Sequence, residues 1–194
     1  MTSFTTPHLH FPPEVLLKAQ GADAGIKAAI FDVDGVLTDG TIFISADGET
    51  LKAFNVLDGQ GLLMLKRAGI VPIVITGRDS PAVRRRVADL GLQHASFGAS
   101  DKLKVANEWL RKLGVAWGDV AVIGDDWPDL PLFAQAGFAC APAGAHAEAR
   151  GAAHHVTQLE GGRGAAREFC DLLLMANGLY VPLLSGLLVT LDAK

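Results

Sequence analysis

Apolar and polar positions along this chain alternate between two periods. Short unbroken apolar runs recur at Ala28-Ala29-Ile30-Phe31, Ile70-Val71-Pro72-Ile73-Val74-Ile75, Val120-Ala121-Val122-Ile123 and Phe138-Ala139-Cys140-Ala141. Such runs read as strands buried on both faces. Shorter strands are expected at 94–97 and 155–156. Between them lie helix-length segments with cap and breaker signals: 79–90 with Asp79-Ser80-Pro81 at its start, 101–113, 128–136, 145–150 and 165–176. Residues 62–68 read as a further helix, entered through Asn55-Val56-Leu57-Asp58-Gly59-Gln60-Gly61 as a connector. Strand and helix alternating at this spacing predict an α/β fold, a Rossmann-like parallel sheet with helices on both faces.

Two stretches break the alternation. Thr41-Ile42-Phe43-Ile44-Ser45 and Thr50-Leu51-Lys52-Ala53-Phe54 flank Asp47-Gly48, which predicts a β-hairpin at 41–54 beside the end of the first strand. From Leu172 to Leu191 there is no charged residue. That is long enough to span a bilayer, but Asn177-Gly178 signals a helix end and Pro182 follows. The expectation is a helix and then an apolar tail docked on the domain or on a neighbouring subunit, with no membrane partner. The organisation expected is an N-terminal extension at 1–24 containing a short helix from Pro12, one domain at 25–177, and a tail at 178–194.

Composition narrows the class. With 194 residues, 49% hydrophobic and 20% charged, the chain is globular and long enough for a sizeable core. A net charge of -4 argues against a nucleic-acid partner. Cys140 and Cys170 lie in apolar or helical settings and read as buried free thiols. Residues 1–10 lack the apolar core of a secretory signal, so a cytoplasmic protein is expected. His94, His154 and His155 have no zinc-like partners nearby and read as structural.

The chemistry gathers where the predicted strands end. Strand one runs into Asp32-Val33-Asp34-Gly35, the strand at 70–75 into Thr76-Gly77-Arg78, and the strand at 120–123 into Gly124-Asp125-Asp126-Trp127-Pro128-Asp129. Lys102 opens a helix. In a parallel sheet these ends share one edge, where ligands bind. Clustered carboxylates beside a hydroxyl and a lysine suit a hard divalent cation together with a phosphate. Phosphate would be met by Thr76, Lys102 and the amides near Gly77 and Gly35. Mg²⁺ would be held by Asp32, Asp125 and the Asp34 carbonyl. Asp32 could then attack phosphorus while Asp34 serves as acid and base.

These four segments resemble the four motifs of the haloacid dehalogenase superfamily. Within it, Asp32 to Gly40, Glu49 to Val56, Gly77-Arg78-Asp79-Ser80 and Gly161 to Glu168 resemble the phosphatases of 3-deoxy-D-manno-octulosonate 8-phosphate. The resemblance implies a cap-less fold in which the hairpin is a flap. It also implies Mg²⁺ dependence, a sugar-acid phosphate substrate, a homotetramer whose subunits help close each other's sites, and a role in lipopolysaccharide synthesis. It carries catalytic roles to Asp32, Asp34, Thr76 and Lys102, and metal ligation to Asp32, Asp34 and Asp125. Substrate contacts are implied for Asn55, Asp58, Gly59, Gly77, Arg78, Arg86 and Asp126. One departure stands out. Leu57 occupies a position where the family usually has arginine, and leucine cannot replace that charge. Arg78, Arg86 or a different substrate, such as a nine-carbon ulosonic acid phosphate, would have to compensate.

Overall fold

A computed structural model describes residues 7–22, 25–46 and 48–192, and the side chains of these as far as residue 186. Parts of the expected N-terminal extension (1–6, 23–24), the hairpin-turn residue Asp47 and the last two tail residues lie outside them. In chain order the elements are α1 (Pro13–Lys18), β1 (Ala28–Phe31), β2 (Phe43–Ser45), β3 (Gly48–Leu51), α2 (Val56–Arg67), β4 (Val71–Ile75), α3 (Pro81–Asp89), β5 (Ala95–Ser96) and α4 (Lys102–Leu113). They continue with β6 (Val120–Ile123), α5 (Leu130–Phe133), β7 (Phe138–Ala141), α6 (Ala147–Ala152), β8 (His155–Val156), α7 (Ala165–Ala176) and α8 (Tyr180–Asp192).

Six strands form one parallel sheet in the order β5-β4-β1-β6-β7-β8, and β2 and β3 form a separate antiparallel hairpin. β1 lies at the centre, with Ile30 opposite Ile73 on one side and Val122 on the other. Every residue of β1, β6 and β7 is buried, which is what their unbroken apolar runs require. Successive β1 side chains enter opposite layers. Ala29 and Phe31 pack with Leu62 and Leu65 of α2 and Phe169 and Leu173 of α7. Ala28 and Ile30 pack with Leu110 of α4 and Leu132 of α5. Helices therefore cover both faces, and all sheet strands end on one edge.

Two local expectations are corrected, and the tail gains an element. The segment 56–61 is helical, not a connector, and α2 starts at Val56. Asn55 caps it by accepting a hydrogen bond from the Leu57 amide. Its two glycines are packing positions: a Cβ on Gly59 would sit 2.2 Å from Arg86 Nη2, and one on Gly61 would sit 3.0 Å from Cys170 Sγ. The helix expected over 128–136 is a 3-10 turn, Trp127–Asp129, followed by the short α5. Pro131 has no N–H for the Trp127 carbonyl, which accepts from Leu130 instead, so no continuous α-helix runs through. The apolar tail is helical. α7 ends at Asn177 and Gly178 turns with φ +68°, then α8 begins, with Leu179, Tyr180 and Leu183 against the core. No single described helix is long and apolar enough to cross a membrane, although α7 and the first part of α8, bent by 102°, would be as a pair by length and composition.

Candidate active site

The strand ends build a cleft of about 350 Å³ lined by residues of every motif. Asp32 directly follows β1 and its amide still bonds to the Ile123 carbonyl, so the ladder with β6 fixes its backbone. Its buried carboxylate meets Lys102 Nζ at 2.9 Å. Lys102 is the first residue of α4, whose N-cap Asp101 accepts from the Lys104 amide. The same ammonium reaches Asp129 at 2.7 Å. Asp129 is 1% exposed, and its other oxygen accepts from the amides of Asp125 and Asp126, at 3.1 and 3.4 Å. One carboxylate thus holds both the lysine and the loop carrying Asp125.

Thr76 follows β4 and is buried, with its amide on the Ser96 carbonyl and its hydroxyl accepting from the Arg78 amide. Gly35 turns the chain beneath this wall at φ +86°, and a Cβ there would lie 2.1 Å from Asp125 Oδ2. That position needs glycine for both conformation and space.

Around Asp32, Asp125 and Asp129 there is more negative charge than the Lys102 ammonium offsets. Burial, with Asp129 adding to it, pushes the Asp32 carboxyl up to about 8 against the pull of Lys102. Burial and Asp129 likewise push Asp125 up to about 6. Burial works against the Lys102 charge, but Asp32 and Asp129 outweigh it and hold its pKa above the usual lysine range. Carboxylate oxygens of Asp32, Asp125 and Asp129 all lie within 4.8 Å of one another, a spacing that one cation can share.

The expected site residues divide into two groups. Asp32, Asp34, Thr76, Gly77, Arg78, Lys102, Asp125 and Asp126 line the cleft together. Asn55, Asp58, Gly59 and Arg86 do not. The Asn55 side chain caps α2. Asp58 is buried and accepts from the amides of Gly164 and Arg167 at the start of α7. Gly59 packs on Arg86, whose guanidinium donates to the Asn55 carbonyl and lies 5.8 Å from the centre of the Phe54 ring. Leu57 is 57% exposed and is not part of the cleft wall. The Asp34 carboxylate pairs with Lys52 and Arg78 and is not one of the three converging acids, so a metal contact from residue 34 would use its main-chain carbonyl.

Two site residues went unassigned from sequence. Asp129 had a signal: Asp126 and Asp129 form a reciprocal capping box, the spacing of a helix start. Lys52 lies in the Glu49 to Val56 segment of the resemblance but drew no role, since only the folding of the hairpin carries it to Asp34, 18 residues earlier. The histidines are placed structurally. His94 stands edge-on to Trp109 and His154 accepts from the Ala139 amide.

Residues 44–137 match the family described as haloacid dehalogenase-like hydrolase. The chain is 45% identical over 166 residues to 3-deoxy-D-manno-octulosonate 8-phosphate phosphatase KdsC of Salmonella typhimurium, with 86% of each chain covered. It is also similar to the crystal structure of the Moraxella catarrhalis phosphatase of that name, in complex with magnesium ion, phosphate ion and KDO. That similarity has a TM-score of 0.83 at 39% identity, over 90% of this chain and 98% of that one. The cobalt-bound form of the Haemophilus influenzae phosphatase superposes with a TM-score of 0.79 at 42% identity, over 85% and 93% of the two chains.

Proposed function

This chain belongs to the 3-deoxy-D-manno-octulosonate 8-phosphate phosphatases of the haloacid dehalogenase-like hydrolases, and from that we propose that it hydrolyses this eight-carbon sugar-acid phosphate to the free acid and phosphate. The observation that carries the proposal is the pairing of Asp32 with Lys102 in a cleft that also holds Thr76 and Asp34. Thr76, Lys102 and the amides near Gly77 and Gly35 bind the phosphate oxygens. An Asp32 carboxylate oxygen bonds to phosphorus as the ester P–O bond breaks, and Asp34 gives its proton to the departing alkoxide oxygen. Asp34 then takes a proton from water, whose oxygen displaces Asp32 and releases phosphate. Asp129 touches no reacting atom in this scheme. It holds Lys102 and the Asp125 loop in place.

The donor set fits Mg²⁺, since three carboxylates converge on one point with a single buried ammonium among them. Asp32, Asp125 and the Asp34 carbonyl would hold the ion. When bound, Mg²⁺ supplies the positive charge that lets a carboxylate approach a phosphate. Arg78, half-exposed in the cleft wall, meets the substrate's carboxylate and Asp126 its hydroxyls.

A second reading, a nine-carbon ulosonic acid phosphate as substrate, rests on the sequence departure at Leu57 alone, a residue outside the cleft of its own chain. We take the working unit to be a homotetramer in a reducing cytoplasm, feeding lipopolysaccharide synthesis. Supporting this are the exposed apolar residues Ile44 and Val56, suited to burial between copies, and the two free buried thiols. The test is phosphate release from both ulosonate phosphates, with and without EDTA, by wild type and Asp32→Asn. EDTA should abolish release, and Asp32→Asn should reduce it to background. Turnover by that variant would overturn the nucleophile assignment, and preference for the nine-carbon ester would overturn the substrate.

A further inference from the structure

Trp127 is 63% exposed and sits between Asp126 and Pro128, which both line the cleft, without lining it itself. Its indole turns to α6 instead. The indole N–H donates to His146 Nδ1 at 3.2 Å, and the two rings stand edge to face, 5.8 Å apart at 87°. His146 is the N-cap of α6, and the same Nδ1 accepts from the Glu148 amide at 3.2 Å. The His146 main-chain N–H donates to the Asp125 carbonyl at 2.8 Å. One residue therefore grips the 125–129 loop twice, at the main chain of Asp125 and at the side chain of Trp127. The grip has a firm base, because Ala145 and Ala149 are buried in the layer that holds Leu132 and Ala139. Asp129 holds the same loop from inside, through the amides of Asp125 and Asp126. The main chain of Asp125 is thus fixed at both its N–H and its carbonyl. The loop needs holding. Asp32, Asp125 and Asp129 bring carboxylate oxygens within 4.8 Å of one another, and without a cation such acids push apart.

We propose that His146 is a positioning residue for the metal site: its ring pegs the loop through Trp127, so that the Asp125 carboxylate stands ready for Mg²⁺ before the ion arrives. Binding then need not draw the loop inward against the repulsion of the acids, and the cost of ordering it does not come out of the affinity. Losing a hydrogen-bonded partner one step behind a metal ligand typically weakens metal binding about 10- to 100-fold. The Trp127–His146 bond is open to solvent, so the smaller effect of a single neutral hydrogen bond applies, about three- to tenfold. This proposal rests on the metal reading of the three acids, whereas the grip on the loop does not.

Two variants test it on the intact protein. His146→Asn keeps an α6 cap and the main-chain N–H but is too short to reach Trp127. Trp127→Phe keeps an aromatic ring and removes the N–H. In the metal-free protein, hydrogen exchange at the amides of Asp125 to Trp127 should rise about three- to tenfold in His146→Asn, and at those of Asp125 and Asp126 in Trp127→Phe. Titration calorimetry with Mg²⁺ should show a Kd raised by the same factor in each. The double variant should bind no more than about twofold more weakly than the weaker single variant, since both remove one contact. At saturating Mg²⁺, kcat should stay within about twofold of wild type, because the loaded site is the same. Unchanged exchange in both variants overturns the grip. Faster exchange with an unchanged Kd overturns the positioning of the metal site. Additive losses in the double variant, or a loss in His146→Ala that His146→Asn repairs, overturn Trp127 as the peg. If wild type binds no Mg²⁺, the metal reading has failed and the positioning with it, and the exchange data still decide the grip.

Discussion

Asp58 separates a substrate-binding role from a structural one, and the two predict different variants. α7 has glycine at its N-cap, Gly164, which has no side chain to satisfy the first amides. Asp58 supplies the acceptors from another helix, at 3.3 Å from the Gly164 amide and 2.8 Å from the Arg167 amide. Losing a cap to alanine costs roughly 0.5–2 kcal/mol, and leaving a buried N–H without a partner costs about 1–3 kcal/mol. These overlap, so Asp58→Ala should lose about 2–3 kcal/mol. In a chain of this size that corresponds to a melting temperature lower by roughly 5–10 °C. Asp58→Asn should lose less than about 1 kcal/mol, because its carbonyl still accepts and it carries no buried charge. Burial lifts the Asp58 carboxyl above its usual range despite the two amides, Arg167 and Arg86. A raised carboxylate stabilises the fold at low pH and loses that contribution as pH rises through its folded value. Asp58→Asn should therefore improve relative to wild type as pH rises from the ordinary carboxylate range through that raised value. The assay is urea unfolding followed by fluorescence of Trp109, Trp117 and Trp127, beside KM for the sugar-acid phosphate. A KM raised more than tenfold in Asp58→Asn at an unchanged unfolding midpoint would refute the structural role.

Three further outcomes are expected. Without metal, thermal stability should fall from pH 5 to 8, since Asp32 and Asp125, raised to about 8 and about 6, must ionise while buried; calorimetry should show a larger gain from Mg²⁺ at pH 8 than at pH 5 and a flatter profile for Asp32→Asn, and a metal-free stability that climbs over this range contradicts the assignment. Gly161→Ala puts a Cβ 1.8 Å from the Gly35 carbonyl oxygen, so it should cost about 3 kcal/mol and at least 100-fold in kcat by disturbing the loop after Asp34, whereas a variant with wild-type kinetics would mean that the loop yields easily. Leu57→Arg should leave kcat/KM for the eight-carbon ester within twofold, because position 57 faces solvent away from the cleft of its own chain; a tenfold gain in steady-state assays would show that this position reaches a site across a subunit boundary.

Much of this protein is decided locally. The unbroken apolar runs specify strands buried on both faces, and parallel strands separated by helices bring their carboxyl ends to one edge. Asp32, Thr76, Lys102 and Asp125 were legible for that reason, each within two residues of an element end. The start of α2 was not, because Asp58-Gly59-Gln60-Gly61 has the composition of a turn and becomes helical only where Arg86 and Cys170 demand close packing at its glycines. Nor could the chain alone distinguish an acid that faces substrate from one that caps a helix. Asp58 lies 106 residues from Gly164, and no local pattern connects them. Lys52 is the same case at the cleft, an ordinary polar residue of a hairpin until folding strips its side chain of water between Asp34 and Glu49. Local sequence determines where polar backbone groups and charged side chains emerge from the sheet. Only the tertiary structure decides which of them share a dry space, and burial there is what changes a carboxylate's partner, its proton affinity and its work.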